Sequence, residues 1–191
     1  MTRRHARSAF CLAALLLVAA PARTDPSSAP AAVDEASVKA ELVERFCRFI
    51  DWPEGALGPS DRPFVIGILG TDPVAPHLED LARLRMIQGR PVEVRRLATP
   101  AGAGDCNLVW IAASAKDRLA AVLAKTRGRA ILTIGDSPGF AGDGVLIGLV
   151  RSGDHVSFEI NLDEVRQSGL QFSSKLLRLG TIVGRAKENG R

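Results

Sequence analysis

The sequence is short of the residues on which catalysis and metal binding most often rest. It holds three histidines and three cysteines in 191 residues. No H-x-x-x-H or C-x-x-C spacing occurs, which excludes the common zinc frameworks. No Walker motif is present. Gly67-Ile68-Leu69-Gly70 is only a fragment of a dinucleotide fingerprint, without its third glycine or downstream acid. No apolar run reaches the roughly 20 residues of a membrane-spanning helix, and no internal repeat is visible. What is there, 46% hydrophobic and 24% charged residues with 18 Gly and 11 Pro, is globular composition. Collagen-like, coiled-coil and wholly disordered chains are excluded by it.

Charge of one sign is scarce too. Formal charge is +4, from 25 Lys and Arg against 21 Asp and Glu. Arg3, Arg4 and Arg7 lie in the first 22 residues, which contain no acid, so the rest of the chain is nearly neutral. That balance argues against nucleic acid as a partner. Met1–Arg7 is a basic n-region, Ala9–Ala20 an apolar run of 12 residues, and Ala20-Pro21-Ala22 an A-x-A site. This order predicts a secretory signal peptide over 1–22, cleaved near Ala22-Arg23. A buried N-terminal helix is the competing reading. Residues 23–34, rich in Pro, Ala and Ser, read as a flexible linker. A domain over 35–186 and a short tail over 187–191 follow. The roughly 158 residues from Asp34 can bury about two-thirds of their unfolded surface, so no cofactor is required for folding.

Helical and extended patterns alternate through that domain. Val38, Leu42, Phe46, Phe49 and Ile50 share one face of a predicted helix over Glu35–Asp51, with Glu41, Glu44 and Arg48 off it. Trp52-Pro53 stops the helix. Phe64–Leu69 (FVIGIL) is continuously apolar, the mark of a strand covered on both faces. A helix is predicted over Val74–Arg85, a more polar, edge-like strand over Val92–Leu97, a buried strand over Asn107–Ala112, a helix over Lys116–Arg127 and a strand over Ala130–Ile134. Val145–Val150 and His155–Ile160 read as a hairpin around a four-residue loop. Asn161 is placed to cap a short helix to Ser168, and Ser174 to cap a helix over Lys175–Val183. The predicted fold is a single α/β domain, its sheet mostly parallel and flanked by helices, with an added antiparallel hairpin.

Three groups of residues invite a chemical reading. Ile134-Gly135-Asp136-Ser137 resembles the nucleophile block of GDSL hydrolases, yet Ser137 needs a histidine held by a carboxylate. After the leader only His77 and His155 are available, and neither has the spacing those enzymes use. His77 with Glu79 and Asp80 makes no convincing ligand set. Cys47 and Cys106 could close a 60-residue loop, worth roughly 4 kcal/mol by chain entropy, or lie buried as two independent thiols. The spacing leaves both open.

Arg45-Phe46-Cys47-Arg48-Phe49-Ile50-Asp51-Trp52-Pro53, Cys106-Asn107-Leu108-Val109-Trp110-Ile111, and Phe158-Glu159-Ile160-Asn161-Leu162 with Gly169-Leu170 and Ser173-Ser174-Lys175-Leu176-Leu177 occur in this order. Together they resemble the YfiR-like family of periplasmic regulatory proteins, with matching order from about Val38 to Val183. The resemblance implies a periplasmic domain without an active site or cofactor. Its partner would be the periplasmic part of an inner-membrane diguanylate cyclase, which it restrains; a homodimer is left open. Cys106 resembles a family disulfide position, whereas Cys47 does not. Arg45, Phe49, Trp52, Glu159 and Asn161 are the candidate binding residues. Each has a structural alternative: core packing for Phe46, Phe49 and Trp52, capping and hydrogen bonding for Glu159 and Asn161, and an Arg45–Glu159 ion pair. A solute-binding protein, which needs a pocket with convergent polar groups, is the other function the sequence allows.

Overall fold

The continuous apolar runs do form strands with both faces covered. The computed structural model describes residues 34–153 and 155–184; the expected leader and nearly all of the linker lie outside them. In chain order the elements are α1 (Glu35–Arg48), β1 (Ile50–Asp51), β2 (Phe64–Leu69), α2 (Val74–Leu84), β3 (Met86–Ile87), β4 (Arg90–Leu97), β5 (Leu108–Ile111), α3 (Leu119–Thr126), β6 (Leu132–Gly135), β7 (Ile147–Ser152), β8 (His155–Asn161), α4 (Leu162–Ser168), β9 (Gln171–Phe172), α5 (Ser174–Leu179) and β10 (Thr181–Val183). Short 3-10 turns cover Pro100–Asp105 and Ala113–Arg118.

Eight strands form one sheet in the order β10-β8-β7-β6-β5-β2-β4-β3. Strands β7, β6, β5, β2 and β4 run parallel, and β7–β8 is the expected antiparallel hairpin. β1 and β9 make a separate two-stranded antiparallel pair. The fold is therefore mixed α/β with a mostly parallel central sheet.

Strand alternation divides the interior into two cores, one on each face of the sheet. Ile66, Ile68, Leu108, Trp110, Leu132 and Ile134 point to the face covered by α1 and α2. Val65, Leu69, Val109 and Ile111 point to the other, covered by α3 and Phe140. Gly67 faces this second core, where a Cβ would come within 2.6 Å of the Cys106 sulfur. Asn107 locks β5 to β2: its Oδ1 accepts from the Val65 N–H at 2.8 Å, and its own N–H donates to Val65 O.

Several boundaries differ from expectation for identifiable reasons. α1 ends at Arg48, because Ile50 and Asp51 are recruited by Phe172 and Gln171 into the small sheet. Its buried stripe runs through Ala36, Ala40, Val43, Phe46 and Cys47, and it includes Glu44, while Val38 and Leu42 are only half-buried. The hairpin strands extend to Ser152 and from His155, which shortens the four-residue loop to a two-residue connection. Ser173, rather than Ser174, caps α5 by accepting from the Leu176 N–H. α5 stops at Leu179, and Gly180 then lets β10 pair in parallel with β8; a Cβ there would lie 2.6 Å from the Phe158 ring.

Candidate functional site

The carboxyl ends of the parallel strands, where open α/β sheets bind ligands, carry a charged cluster. Asp136 follows β6, Asp72 lies between β2 and α2, and Lys39 reaches over from α1. Lys39 Nζ is 2.7 and 2.9 Å from the two Asp136 oxygens and 2.7 Å from Glu35 Oε1. Asp72 accepts from Trp110 Nε1 at 3.3 Å and from the Val74 N–H at 2.8 Å. Burial pushes Asp136 above the usual carboxylate range, and the nearby Asp72 adds to that, while Lys39 opposes it. Burial alone would lower Lys39, yet its bonds to Asp136 and Glu35 outweigh that and hold the ammonium higher than usual. This arrangement ties α1 to the sheet. Sequence reasoning met Asp136 only as the neighbour of a supposed nucleophile, and missed Lys39 and Asp72.

Ser137 opens a turn, its carbonyl accepting from the Phe140 N–H at 3.2 Å. It hydrogen-bonds to neither histidine. His77 lies 2.8 Å from Asp34, and His155 opens β8 opposite Ser152. No Ser-His-carboxylate array is assembled there, and no group of three His, Cys, Asp or Glu suited to a metal occurs among the described residues.

The motif aromatics meet at the small sheet. Phe49 is half-buried at the end of α1, with Lys175 Nζ 5.1 Å from its ring centroid, a cation–π contact. Its carbonyl accepts from the Ser173 N–H. Trp52 stands edge-on to Phe64 at 5.3 Å, and its buried indole N–H has no partner. Phe46 is fully packed against Phe158 at 4.9 Å. Phe49 and Trp52 are thus part core, part surface.

Glu159 and Asn161 sit on β8, on the face opposite Phe158 and Ile160, which pack against the α1 side. That alternation separates Glu159 from α1, and the Arg45–Glu159 ion pair does not form; Arg45 is exposed. Asn161 is buried and fully engaged. Its Oδ1 accepts from the Glu164 N–H at 3.1 Å, capping α4, and its Nδ2 donates to Ala141 O at 2.7 Å. Beside it opens a groove of about 780 Å³ whose walls include Arg127, Asp143, Glu164 and Arg166. Arg127 and Glu164, both in its lining, pair at 2.9 Å.

Cys47 and Cys106 are both free and buried, and they belong to cores on opposite faces of the sheet. The bridged alternative is corrected by this placement: each Sγ is held in its own core, with β2 between them. Burial first, then Glu44, pushes the Cys47 thiol far up; burial pushes Cys106 up to about 11. Neither is primed as a nucleophile at neutral pH.

A two-faced, mostly parallel sheet flanked by helices, with polar clusters that hold its elements together, defines a mixed α/β domain. The chain belongs to the YfiR/HmsC-like family, whose sequence profile matches residues 36–181. Curated proteins give no sequence match. Among solved structures, the chain is similar to a conserved domain protein from Vibrio cholerae, with TM-score 0.51 and 11% identity over 77% of this chain and 59% of that one. It is also similar to the ABC domain in complex with L-Trp from Streptococcus pneumonia, with TM-score 0.49 and 12% identity over 78% and 60%. The chain spans about 60% of the length of each. Identities this low bear on fold alone. Family membership supports a periplasmic role of the regulatory rather than catalytic kind, and no described helix is long and apolar enough to cross a membrane.

Proposed function

We propose that the protein restrains an inner-membrane signalling protein, of the diguanylate cyclase type, by contact with its periplasmic region. The observation that carries this reading is the family match over 36–181, which spans nearly the whole described domain. The expected leader over 1–22 would deliver the domain to the right compartment. A regulator outside the membrane acts on a spanning partner only by preferring one of its states. Carrying that partner from 1:99 to 99:1 requires a ~10⁴-fold preference, about 5.5 kcal/mol. The half-exposed Phe49 and Trp52, with Lys175 and Arg45 nearby in sequence or space, are the proposed contact residues. Pull-down from solubilised membranes with the tagged, exported protein tests the reading. Recovery of a cyclase is expected; recovery of no membrane signalling protein would overturn it.

The groove beside Asn161 favours a second reading, a solute receptor. Its volume of about 780 Å³ suits a small molecule, and a lining that holds Arg127 and Arg166 as well as Asp143, Asp163 and Glu164 suits one bearing both charges. A thermal-shift screen of periplasmic metabolites tests it. A shift that rises with concentration and is lost in Arg127→Ala supports it, and no shift from any metabolite rejects it.

A further inference from the structure

Where α2 gives way to β3, the chain exposes Arg83, Leu84, Arg85 and Met86 in succession. Leu84 is 79% exposed and Met86 62%. Leu84 is the last residue of α2, and Arg85 after it takes an extended conformation (φ −129°, ψ 155°) that carries the chain into β3. A single exposed leucine is ordinary, but this pair is framed by cations. Arg48 and Met86 line one cleft of about 210 Å³, together with Glu44, Cys47, Ile87 and Gln88. Arg45 lies one turn before Arg48 on α1. Arg48 and Arg83 are occupied by Glu44 and Asp80, whereas Arg45 and Arg85 have no ion pair among the described residues.

β3 is also the last strand of the sheet. Ile87 and Arg90 flank the two-residue turn Gln88-Gly89, and Met86 stands opposite Pro91. In such a hairpin the pair next to the turn exchanges both backbone bonds, so the Met86 N–H and C=O face away from β4. Free backbone groups beside exposed apolar side chains form an edge to which an extended segment can add.

We infer that this edge docks an extended, acidic segment of a partner protein, with an apolar side chain of that segment seated between Leu84 and Met86. The unpaired Arg45 and Arg85 select the charge, and the Met86 backbone selects a peptide over a lipid surface. The inference rests on the proposed restraint of a membrane partner and adds the β3 edge to the contact residues proposed for it.

The test places p-benzoylphenylalanine at Met86, and separately at Leu84, in the full chain in cells, with exposed Ala121 on α3 as the control position. After irradiation, mass spectrometry maps the captured peptide. The expected result is a partner segment with several Asp or Glu beside an apolar residue, captured at least tenfold less in an Arg45→Glu, Arg85→Glu background. Capture no greater than at Ala121, capture of lipid, of a second copy or of a segment without acids, or a yield indifferent to the charge reversals would overturn the inference. An acidic segment captured from a protein that is not a membrane signalling protein keeps the docking edge and removes the cyclase reading. Restraint of cyclic di-GMP by the native chain with no capture at Leu84 or Met86 does the reverse.

Discussion

Gln88 caps the end of α1 from the far side of a hairpin: its Nε2 donates to the Cys47 carbonyl at 2.7 Å and to the Ile50 carbonyl at 3.1 Å. The Cys47 carbonyl is among those a helix end leaves without intrahelical partners, and Ile50 opens β1. Gln88 holds this position with φ +52°, and Gly89 follows at +70°, the geometry of a tight hairpin turn. One side chain therefore fixes α1, the β3–β4 hairpin and the start of the small sheet against one another.

Gln88→Ala removes both bonds and leaves the backbone in the left-handed region. Its expected cost is about 1–3 kcal/mol, measured by urea denaturation. Gln88→Gly removes the same bonds but relaxes the backbone, so it should cost less than Gln88→Ala. Equal stability of the native chain and both variants would contradict the capping role.

Asn161→Ala should be more costly than a simple cap deletion, because it loses both the α4 cap and the 2.7 Å bond to the Ala141 carbonyl, which keeps only the longer bond from the Gly144 N–H. About 2 kcal/mol or more is expected. Asn161→Asp keeps the acceptor for the Glu164 N–H and loses the Nδ2 donor, so it too should destabilise. A thermal melt of each variant checks the effect.

Asp136 gives stability a pH dependence of known sign. Burial, with Asp72 adding to it, raises its folded-state value above the ordinary 3.8, so the folded chain holds this proton more tightly than the unfolded one. That contribution is complete below the unfolded value and is lost as pH rises through the folded one. Asp136→Asn removes the loss. Relative to the native chain, the variant should gain stability as pH rises from about 4, read from chemical denaturation at several pH values. A constant difference between the two would contradict the buried, Asp72-crowded setting of Asp136.

The thiols supply a further check. With Cys47 and Cys106 free on opposite faces of the sheet, reductant should leave the melting temperature unchanged. Alkylation of the folded protein should be slow at both and complete after unfolding. Non-reducing peptide mapping that recovers a linked pair would contradict this placement.

Legibility in the sequence followed the range of the interactions. Phe64–Leu69 matches its expected span because covering a strand on both faces demands an unbroken apolar run, which is a local signal. The Asn161 cap was legible for the same reason, since it acts on a residue three positions later. β1, β9 and β10 were not: they have two or three residues each and exist because of partners far along the chain. The Lys39–Asp136 tie spans 97 positions, and neither residue type advertises its partner. The helix expected over Lys175–Val183 stops instead at Leu179, because residues 181–183 pair with β8, a partner about 20 positions away. Of the candidate site residues, Asn161 was found for its capping geometry, Phe49 and Trp52 share one end of the domain, and Arg45 stands apart from Glu159 because β8 turns that carboxylate to the other face.

The most direct test of the central claim is intracellular cyclic di-GMP, measured in a strain lacking this protein and again after the exported protein is restored. Restraint of a diguanylate cyclase predicts a rise on deletion and a return to the starting level on complementation. Unchanged cyclic di-GMP in both strains would contradict it.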